Sequence, residues 1–270
     1  MSIIVLGSDG MLGRYVYKYM REDCGYNVIG FTRSNLDASD LENSRRKMLD
    51  ILEEGDTVIN CIGVTNKRPE LSTINMYMVN SVFPHVIDRV SIEKKCHFIH
   101  ASTDCVFKGD IGGYTDKSLK DNDDSYGLSK SIGEEIKGSV IRVSIIGDEV
   151  KRKTNLISWL KSQKGEKVYG YTDHYWNGIT CLKWAQIVGS IIETKDYWSG
   201  VRVYHSTYKG INYIRKSELL KCLNKCYNLD IKIEDTESGQ KIDRTMYGIQ
   251  VDTDLEEQIY EMVEYFDEKI

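Results

Sequence analysis

The chain has 270 residues, of which 41% are hydrophobic and 29% charged, and its formal net charge is −5. A chain of this length can bury a self-sufficient core, so it needs neither disulfides nor a structural metal to fold. The acidic balance argues against nucleic-acid and membrane-surface partners, because both attract basic faces.

The seven cysteines are scattered, and none belongs to a Cys-x-x-Cys pair. This usage predicts reduced thiols. No secretory leader is expected, because no basic segment precedes a long apolar run at the N-terminus. We therefore predict a cytoplasmic protein.

The cysteines and the five histidines show no ligand spacing, so no metal site is predicted. No apolar run is long enough for a membrane span.

Short apolar runs alternate with helix-period segments along the first 150 residues. The runs predict strands at 3–6, 28–31, 57–61, 97–101 and 140–146, and the segments predict helices at 11–21, 41–53, 74–90 and 125–137. Strands that are apolar throughout are typical of a parallel sheet covered on both faces. The predicted fold class is therefore α/β, a Rossmann fold with a doubly wound parallel sheet.

The regular alternation weakens from residue 147, where the composition turns polar and charged. We predict a NAD(P)-binding Rossmann domain over residues 1–150. A smaller C-terminal α/β lobe over 151–270 is predicted to bind substrate, with some return of the chain to the sheet left open. Helices in this lobe are predicted near 154–164, 180–193, 216–227 and 254–269.

A glycine-rich turn, GSDGMLG at residues 7–13, follows the first predicted strand and precedes the first helix. Gly7 permits a tight turn, Gly10 lets a pyrophosphate approach the backbone, and Gly13 lets the helix pack close to the strand. The helix N-terminus then offers N–H groups to phosphates. The alternative is a turn that serves only packing. The predicted dinucleotide contacts here are Gly7, Asp9, Gly10, Met11, Leu12 and Gly13.

The second strand ends at Thr32 and Arg33, about twenty residues past the glycines. An NAD site usually has a carboxylate at this strand end, whereas a guanidinium can pair with a 2′-phosphate. The predicted cofactor is therefore NADPH, bound in part by Thr32 and Arg33. Asp37 lies close enough in sequence to leave NADH open, and a solvated surface arginine is the other alternative.

Polar side chains follow the fourth strand, and about twenty residues later comes Tyr126-Gly-Leu-Ser-Lys130. Tyr126 and Lys130 lie one helical turn apart on the same face, where an ammonium would lower the pKa of the phenol. Such a phenol can protonate a carbonyl oxygen as hydride reaches the carbon. By itself the pair is common and in most cases marks only a helix surface.

Taken in order, the glycine turn, the Ser102-Thr103-Asp104 segment and the Tyr126/Lys130 pair resemble an extended short-chain dehydrogenase/reductase, closest to the dTDP-4-dehydrorhamnose reductase group. The resemblance runs from residue 3 to about 147. It implies that Thr103 orients the substrate carbonyl, Tyr126 is the general acid and Lys130 binds the nicotinamide ribose. The implied cofactor contacts are Cys61, Gly63, Asn80, Tyr126 and Lys130, and the implied substrate contacts at the strand end are Ser102 and Asp104.

The resemblance also implies the substrate, a nucleotide-diphospho-4-keto-6-deoxyhexose. The base, the C2 substituent and the oligomeric state stay open, a homodimer being one expectation. An aromatic, polar stretch that includes His174, Trp176 and Asn177 could stack a base and bind sugar hydroxyls, and Arg244 with Lys241 could pair with a diphosphate. Core or surface side chains are the alternative for each.

Cys105 departs from the reductase pattern, which usually has tyrosine at that position. Similar reductases that also epimerise the sugar have cysteine there, and a thiol can remove a proton alpha to a ketone. Cys105 therefore motivates a hypothesis of C3 epimerisation before C4 reduction. A small buried thiol that fills space is the alternative. The second proton donor has only loosely spaced candidates: Lys161, Lys164, Lys167 and His174.

Two other functions stay open. One is a non-catalytic NADP-binding regulatory subunit, since a family member serves methionine adenosyltransferase in that way. The intact Thr103, Tyr126 and Lys130 favour an enzyme. The other is an NAD-retaining epimerase or dehydratase, although those relatives usually carry an acidic pair where this chain has Asp104 followed by Cys105.

Overall fold

The computed structural model describes residues 1–66, 72–150 and 154–266. Within these residues the strands are β1 (Ile3–Leu6), β2 (Val28–Phe31), β3 (Thr57–Asn60), β4 (His97–Ser102), β5 (Ser139–Arg142), β6 (Ile145–Ile146), β7 (Lys167–Tyr171), β8 (His174–Trp176), β9 (Ile179–Thr180), β10 (Gly200–His205), β11 (Ile214–Arg215), β12 (Lys232–Thr236), β13 (Ile242–Asp243) and β14 (Ile249–Gln250). The α-helices are α1 (Met11–Lys18), α2 (Leu41–Ile51), α3 (Thr73–Tyr77), α4 (Phe83–Glu93), α5 (Ser125–Gly133), α6 (Leu156–Ser162), α7 (Cys181–Thr194), α8 (Lys216–Cys226) and α9 (Leu255–Glu264).

A seven-stranded sheet in the order β14-β10-β5-β4-β3-β1-β2 forms the centre of the molecule. All neighbouring strands in it are parallel. The strand order reverses between β1 and β3, and in such sheets the crevice at the carboxyl ends of these strands binds the dinucleotide. The predicted doubly wound α/β fold is confirmed.

Helices cover both faces of this sheet because alternate residues of each strand point to opposite faces. Ile3 and Val5 pack in one cluster, which contains Trp184 of α7. Ile4 and Leu6 pack in a second cluster on the other face. The strands therefore bury apolar side chains on both sides, as their uniform composition predicts.

Several predicted elements end or divide earlier than the sequence indicates. The predicted helix 125–137 ends at Gly133. Four and five residues further on, the N–H groups of Lys137 and Gly138 donate to the Asp88 carboxylate and not to helix carbonyls. The predicted strand 140–146 divides into β5 and β6, because β6 leaves the central sheet to pair with β9. Helix 254–269 is observed as α9, and residues 267–269 lie outside the described residues.

The second half of the chain returns to the central sheet. Strand β10 pairs with β5, and β14 pairs with β10. The remaining strands form small sheets beside it, β11-β8-β13 and β12-β7. The residues after 150 therefore contribute two strands to the central sheet as well as forming the smaller sheets. The division into two domains near residue 150 stays a prediction. Among the described residues, no helix combines the length and the apolar character that a bilayer crossing requires.

Candidate active site

The glycine turn joins β1 to α1 in a conformation that leaves no room for larger residues. Gly7 has φ +81°, and its N–H donates to the Phe31 carbonyl over 2.8 Å. A Cβ on Gly13 would lie 2.0 Å from the Gly7 carbonyl oxygen. The N-cap residue of α1 is Gly10, which has no side chain to cap the first turn. The N–H groups of this turn can therefore bind a phosphate.

Arg33 lies two residues past the end of β2, beside the glycine turn. Its side chain is 63% exposed, and its Nε lies 3.7 Å from the Asp37 carboxylate. That carboxylate accepts the N–H and hydroxyl of Ser39, and the backbone bond from Ser39, aided by Arg33, lowers the pKa of Asp37. Asp37 is thus engaged locally, whereas the Arg33 guanidinium is open to solvent. This arrangement favours a phosphate over a bare ribose hydroxyl at this strand end.

The loop after β3 places Cys61 and Gly63 at the carboxyl edge of the sheet, where both are partly exposed. Asn80 lies behind this loop and is fully buried. Its amide accepts from the Val64 N–H (2.9 Å), donates to the Val64 carbonyl (2.8 Å) and donates to the Ser129 hydroxyl (3.0 Å). The polar atoms of the Asn80 side chain thus hold this loop, and the cofactor contact at Asn80 stays a prediction.

Two glycines bring α5 against the strand ends. The Asp124 carboxylate caps the helix by accepting from the Gly127 N–H over 2.7 Å. A Cβ on Gly127 would lie 2.3 Å from the Cys105 carbonyl oxygen, and one on Gly133 would lie 2.1 Å from the Asn80 carbonyl oxygen. The sequence reasoning missed this contact, although glycine inside a helical pattern is itself a signal of close approach.

This packing places the Tyr126 phenol beside Thr103. The Thr103 hydroxyl accepts from the Cys105 N–H (3.1 Å) and donates to the Asp104 carboxylate (3.0 Å), and it lies near the Tyr126 phenol. Burial raises the pKa of Tyr126, with a further rise from Cys105 and a lowering by Thr103. The phenol therefore stays protonated at neutral pH. This is the form that a proton donor to a carbonyl requires.

Lys130 does not lower the pKa of the phenol as the sequence predicts. It is buried, and its Nζ donates to the Ala101 carbonyl (2.8 Å) and lies 3.3 Å from His100 Nε2. Burial lowers the pKa of Lys130 to about 8, against the opposing effects of Glu134 and Cys61. The predicted lowering of the Tyr126 pKa by an adjacent ammonium is therefore wrong. The amino group is directed to β4, and burial dominates at the phenol.

Ser102 and Asp104, the two predicted substrate contacts at the end of β4, hydrogen-bond to neighbouring side chains of the site. Ser102 is buried and donates to the Glu134 carboxylate over 2.6 Å, and that carboxylate also binds the buried Arg142 guanidinium. Asp104 is buried and accepts from the Thr103 hydroxyl. Both side chains thus position their neighbours in this structure, and direct substrate contacts at Ser102 and Asp104 stay predictions.

Of the predicted substrate residues in the C-terminal lobe, Arg244 contacts the site. Its Nη1 lies 3.7 Å from Cys105 Sγ, and its Nε donates to the Lys108 carbonyl over 3.3 Å. Burial and the neighbouring Asp104 carboxylate raise the pKa of the Cys105 thiol to about 12, although Arg244 lowers it. A cation thus lies on the substrate side of Thr103 and Tyr126.

The aromatic stretch contributes less directly. His174 lies 2.9 Å (Nε2) from the Ser238 hydroxyl, and Trp176 is partly buried against the core. Asn177 is buried, with its amide bonded to both the N–H and the carbonyl of Met246. The Asn177 amide thus ties the end of β8 to the segment after β13, and a substrate contact at Asn177 stays a prediction. Contacts at His174 and Trp176 stay predictions.

The fold, the glycine turn and the Thr103, Tyr126 and Lys130 set together define an extended short-chain dehydrogenase/reductase. Its family follows from the sequence match. The chain belongs to the RmlD substrate binding domain family, whose model matches residues 1–214.

Relatives of known name agree with this family. The chain is 30% identical over 139 residues to a dTDP-4-dehydrorhamnose reductase of Mycobacterium tuberculosis, a match that covers 49% of this chain and 44% of the relative. It is 32% identical over 149 residues to a probable low-salt glycan biosynthesis reductase, Agl14, of Haloferax volcanii, covering 50% and 48%. These matches span about half the length of the curated relatives.

A solved structure matches over nearly the whole chain. The dTDP-4-dehydrorhamnose reductase of Bacillus anthracis, in complex with NADP, has a TM-score of 0.82 and 18% identity, with 99% of each chain covered. At that identity the likeness establishes the fold.

In the part of the chain that the structure describes, no group of three or more His, Cys, Asp or Glu side chains is placed to hold a metal.

Proposed function

We propose that the protein reduces the C4 keto group of a nucleotide-diphospho-4-keto-6-deoxyhexose with NADPH. The observation that carries this proposal is the proximity of the Thr103 hydroxyl and the Tyr126 phenol at the carboxyl edge of the sheet that also carries the glycine turn. A reductase of dTDP-4-dehydrorhamnose among the relatives, and NADP in a structural neighbour, support the substrate class and the cofactor.

The glycine turn fits a dinucleotide, because a Cβ on Gly13 would lie 2.0 Å from the Gly7 carbonyl oxygen, so only glycine lets α1 begin this close to β1. When bound, NADPH would supply the hydride that reaches C4 of the sugar. Tyr126 donates its phenolic proton to the carbonyl oxygen, and the Thr103 hydroxyl holds the same oxygen. Lys130 would bind the nicotinamide ribose, and Arg244 would pair with the substrate diphosphate.

We propose reduction without C3 epimerisation. A base at C3 would need the thiolate of Cys105, but burial and Asp104 raise the pKa of that thiol to about 12. At neutral pH this thiol stays protonated, so almost no thiolate is present to remove the proton at C3. Cys105 instead contacts the Arg244 guanidinium through its thiol. Its carbonyl accepts a hydrogen bond from the Asn122 side-chain amide over 2.6 Å.

A panel of dTDP-, UDP- and GDP-linked 4-keto-6-deoxyhexoses, with and without a 2-acetamido group, tests this function. We expect NADPH oxidation with at least one member, a C4 alcohol in the NMR spectrum, and no deuterium at C3 when the reaction runs in heavy water. Deuterium at C3 that is lost in Cys105→Ser would contradict the absence of epimerisation. NADPH binding without turnover of any member would favour a non-catalytic subunit. Homodimerisation and a cytoplasmic location stay predictions.

Replacing Arg33 tests the assignment of the cofactor. We expect Arg33→Ala to weaken NADPH binding about tenfold, the loss of one exposed charge-assisted contact, while NADH affinity changes little. Titration of NADPH and NADH fluorescence measures both dissociation constants. Arg45→Ala is the matched control, because Arg45 is an exposed arginine of α2 that pairs with Glu93. Equal losses for both cofactors in Arg33→Ala would remove the 2′-phosphate contact.

A further inference from the structure

Three buried polar side chains form a row beneath the site, from β3 through β4 to α5. Asn60 and His100 are each 0% exposed and Lys130 is 4% exposed. Asn60 Nδ2 lies 3.0 Å from His100 Nδ1, and His100 Nε2 lies 3.3 Å from Lys130 Nζ. Asn60 and His100 are paired in the register of β3 and β4, so the sheet itself aligns the row.

The Asn60 amide has one possible orientation. Its Oδ1 accepts from the Ile62 N–H over 3.0 Å, so Nδ2 is the atom that faces His100 and it donates to Nδ1. A ring nitrogen that accepts carries no proton. Burial, with the Lys130 charge, lowers the pKa of His100 well below its usual value, so the ring is neutral. Its single proton therefore lies on Nε2.

This tautomer directs an N–H group at Lys130. An amine nitrogen has a lone pair that can accept from His100 Nε2–H, whereas an ammonium has three donors and no acceptor. An ammonium would need the other tautomer, in which Nδ1–H would face the Asn60 N–H group. Asn60 and His100 thus favour the neutral amine of Lys130.

We infer that His100 is a positioning residue that, aligned by Asn60, stabilises the neutral amine of Lys130 after Lys130 gives up a proton. The role rests on the function proposed above. There, Tyr126 loses its proton to the substrate oxygen, and the tyrosinate must recover one. The Lys130 ammonium supplies that proton, its N–H bond breaks, and the amine that remains accepts a hydrogen bond from His100 Nε2–H. Solvent then returns a proton to the amine.

Other titratable groups near this row influence the protonation of Lys130 and His100. Glu134 of α5 and Cys61 after β3 favour the Lys130 ammonium, while burial disfavours it and lowers its pKa to about 8. His85 of α4 faces His100 and adds to the lowering of the pKa of that ring. Lys130 therefore exchanges between its two forms within one pH unit or so of neutrality.

The tautomer of His100 can be observed directly, without turnover. In a two-dimensional ¹H–¹⁵N spectrum of protein labelled at histidine, we expect the Nε2–H pattern for His100 in the wild type. Asn60→Asp should convert it to the Nδ1–H pattern, because a carboxylate can only accept. Asn43→Asp, at an exposed position of α2, should leave it unchanged. An Nδ1–H pattern in the wild type would overturn the inference, whether or not Asn60→Asp folds.

The pH dependence of NADPH binding tests the link to Lys130. We expect affinity to fall with a midpoint near 8 as the ammonium is lost, and Asn60→Asp to raise that midpoint by about one unit. A midpoint that does not move, although the tautomer does, would contradict the coupling between His100 and Lys130. A wild type that binds no NADPH at all would instead refute the proposed function, and the spectrum would still decide the tautomer.

Discussion

Tyr126→Phe is expected to lower kcat for reduction of a 4-keto sugar nucleotide about 10²–10⁴-fold, the usual contribution of a positioned general acid. The phenol is the proton source beside Thr103, and the substitution removes only its hydroxyl group. Stopped-flow or steady-state oxidation of NADPH measures the loss. The dissociation constant of NADPH should change little, since the glycine turn and Arg33 hold the opposite end of the cofactor.

Tyr169→Phe is the control for this experiment. Tyr169 lies on β7 and is exposed, with Lys167 over its ring, so loss of its hydroxyl should leave kcat unchanged. A Tyr126→Phe variant that folds, binds NADPH and retains kcat within about threefold would contradict the role of the phenol, because it would place the missing proton donor elsewhere.

Glu134→Gln is expected to lower the free energy of unfolding by about 3–5 kcal/mol, the cost of leaving a buried charge without its partner. The Glu134 and Arg142 side chains are 0% and 1% exposed and lie 2.6 Å apart. The Glu134 carboxylate also accepts from Ser102, at the end of the strand that carries Thr103. The variant should therefore lose activity through Thr103 as well as stability. Urea denaturation measures the stability change.

The next residue supplies a matched control. Glu135 is 70% exposed and pairs with Lys120, so Glu135→Gln should change the free energy of unfolding by less than about 1 kcal/mol. Equal effects of the two substitutions would contradict the view that the buried pair with Arg142 holds the end of β4.

The sequence allowed the central sheet and the position of the catalytic pair to be predicted. Strands that are apolar throughout must be buried on both faces, and a spacing of four residues must place Tyr126 and Lys130 on one side of α5. Arg244 lies near Cys105, and its pairing with a diphosphate stays a prediction.

Roles that depend on which way a side chain points could not be predicted in this way. Asn80, Ser102 and Asn177 stand in motif segments, but each faces inward and bonds to neighbouring backbone or side chains. The rise in the Tyr126 pKa depends on burial by α5 and the strand-end loop, which spacing does not report. A histidine in an otherwise apolar strand, His100, was the available signal for the buried row.

The source of the hydrogen at C4 tests the central claim most directly. With NADPH deuterated at its hydride position and the best substrate of the panel, we predict that deuterium appears at C4 of the sugar, one atom per NADPH oxidised. Solvent deuterium should not enter that carbon. A C4 hydrogen that comes from solvent, or NADPH that is bound and never oxidised by any 4-keto sugar, would contradict reduction at this site.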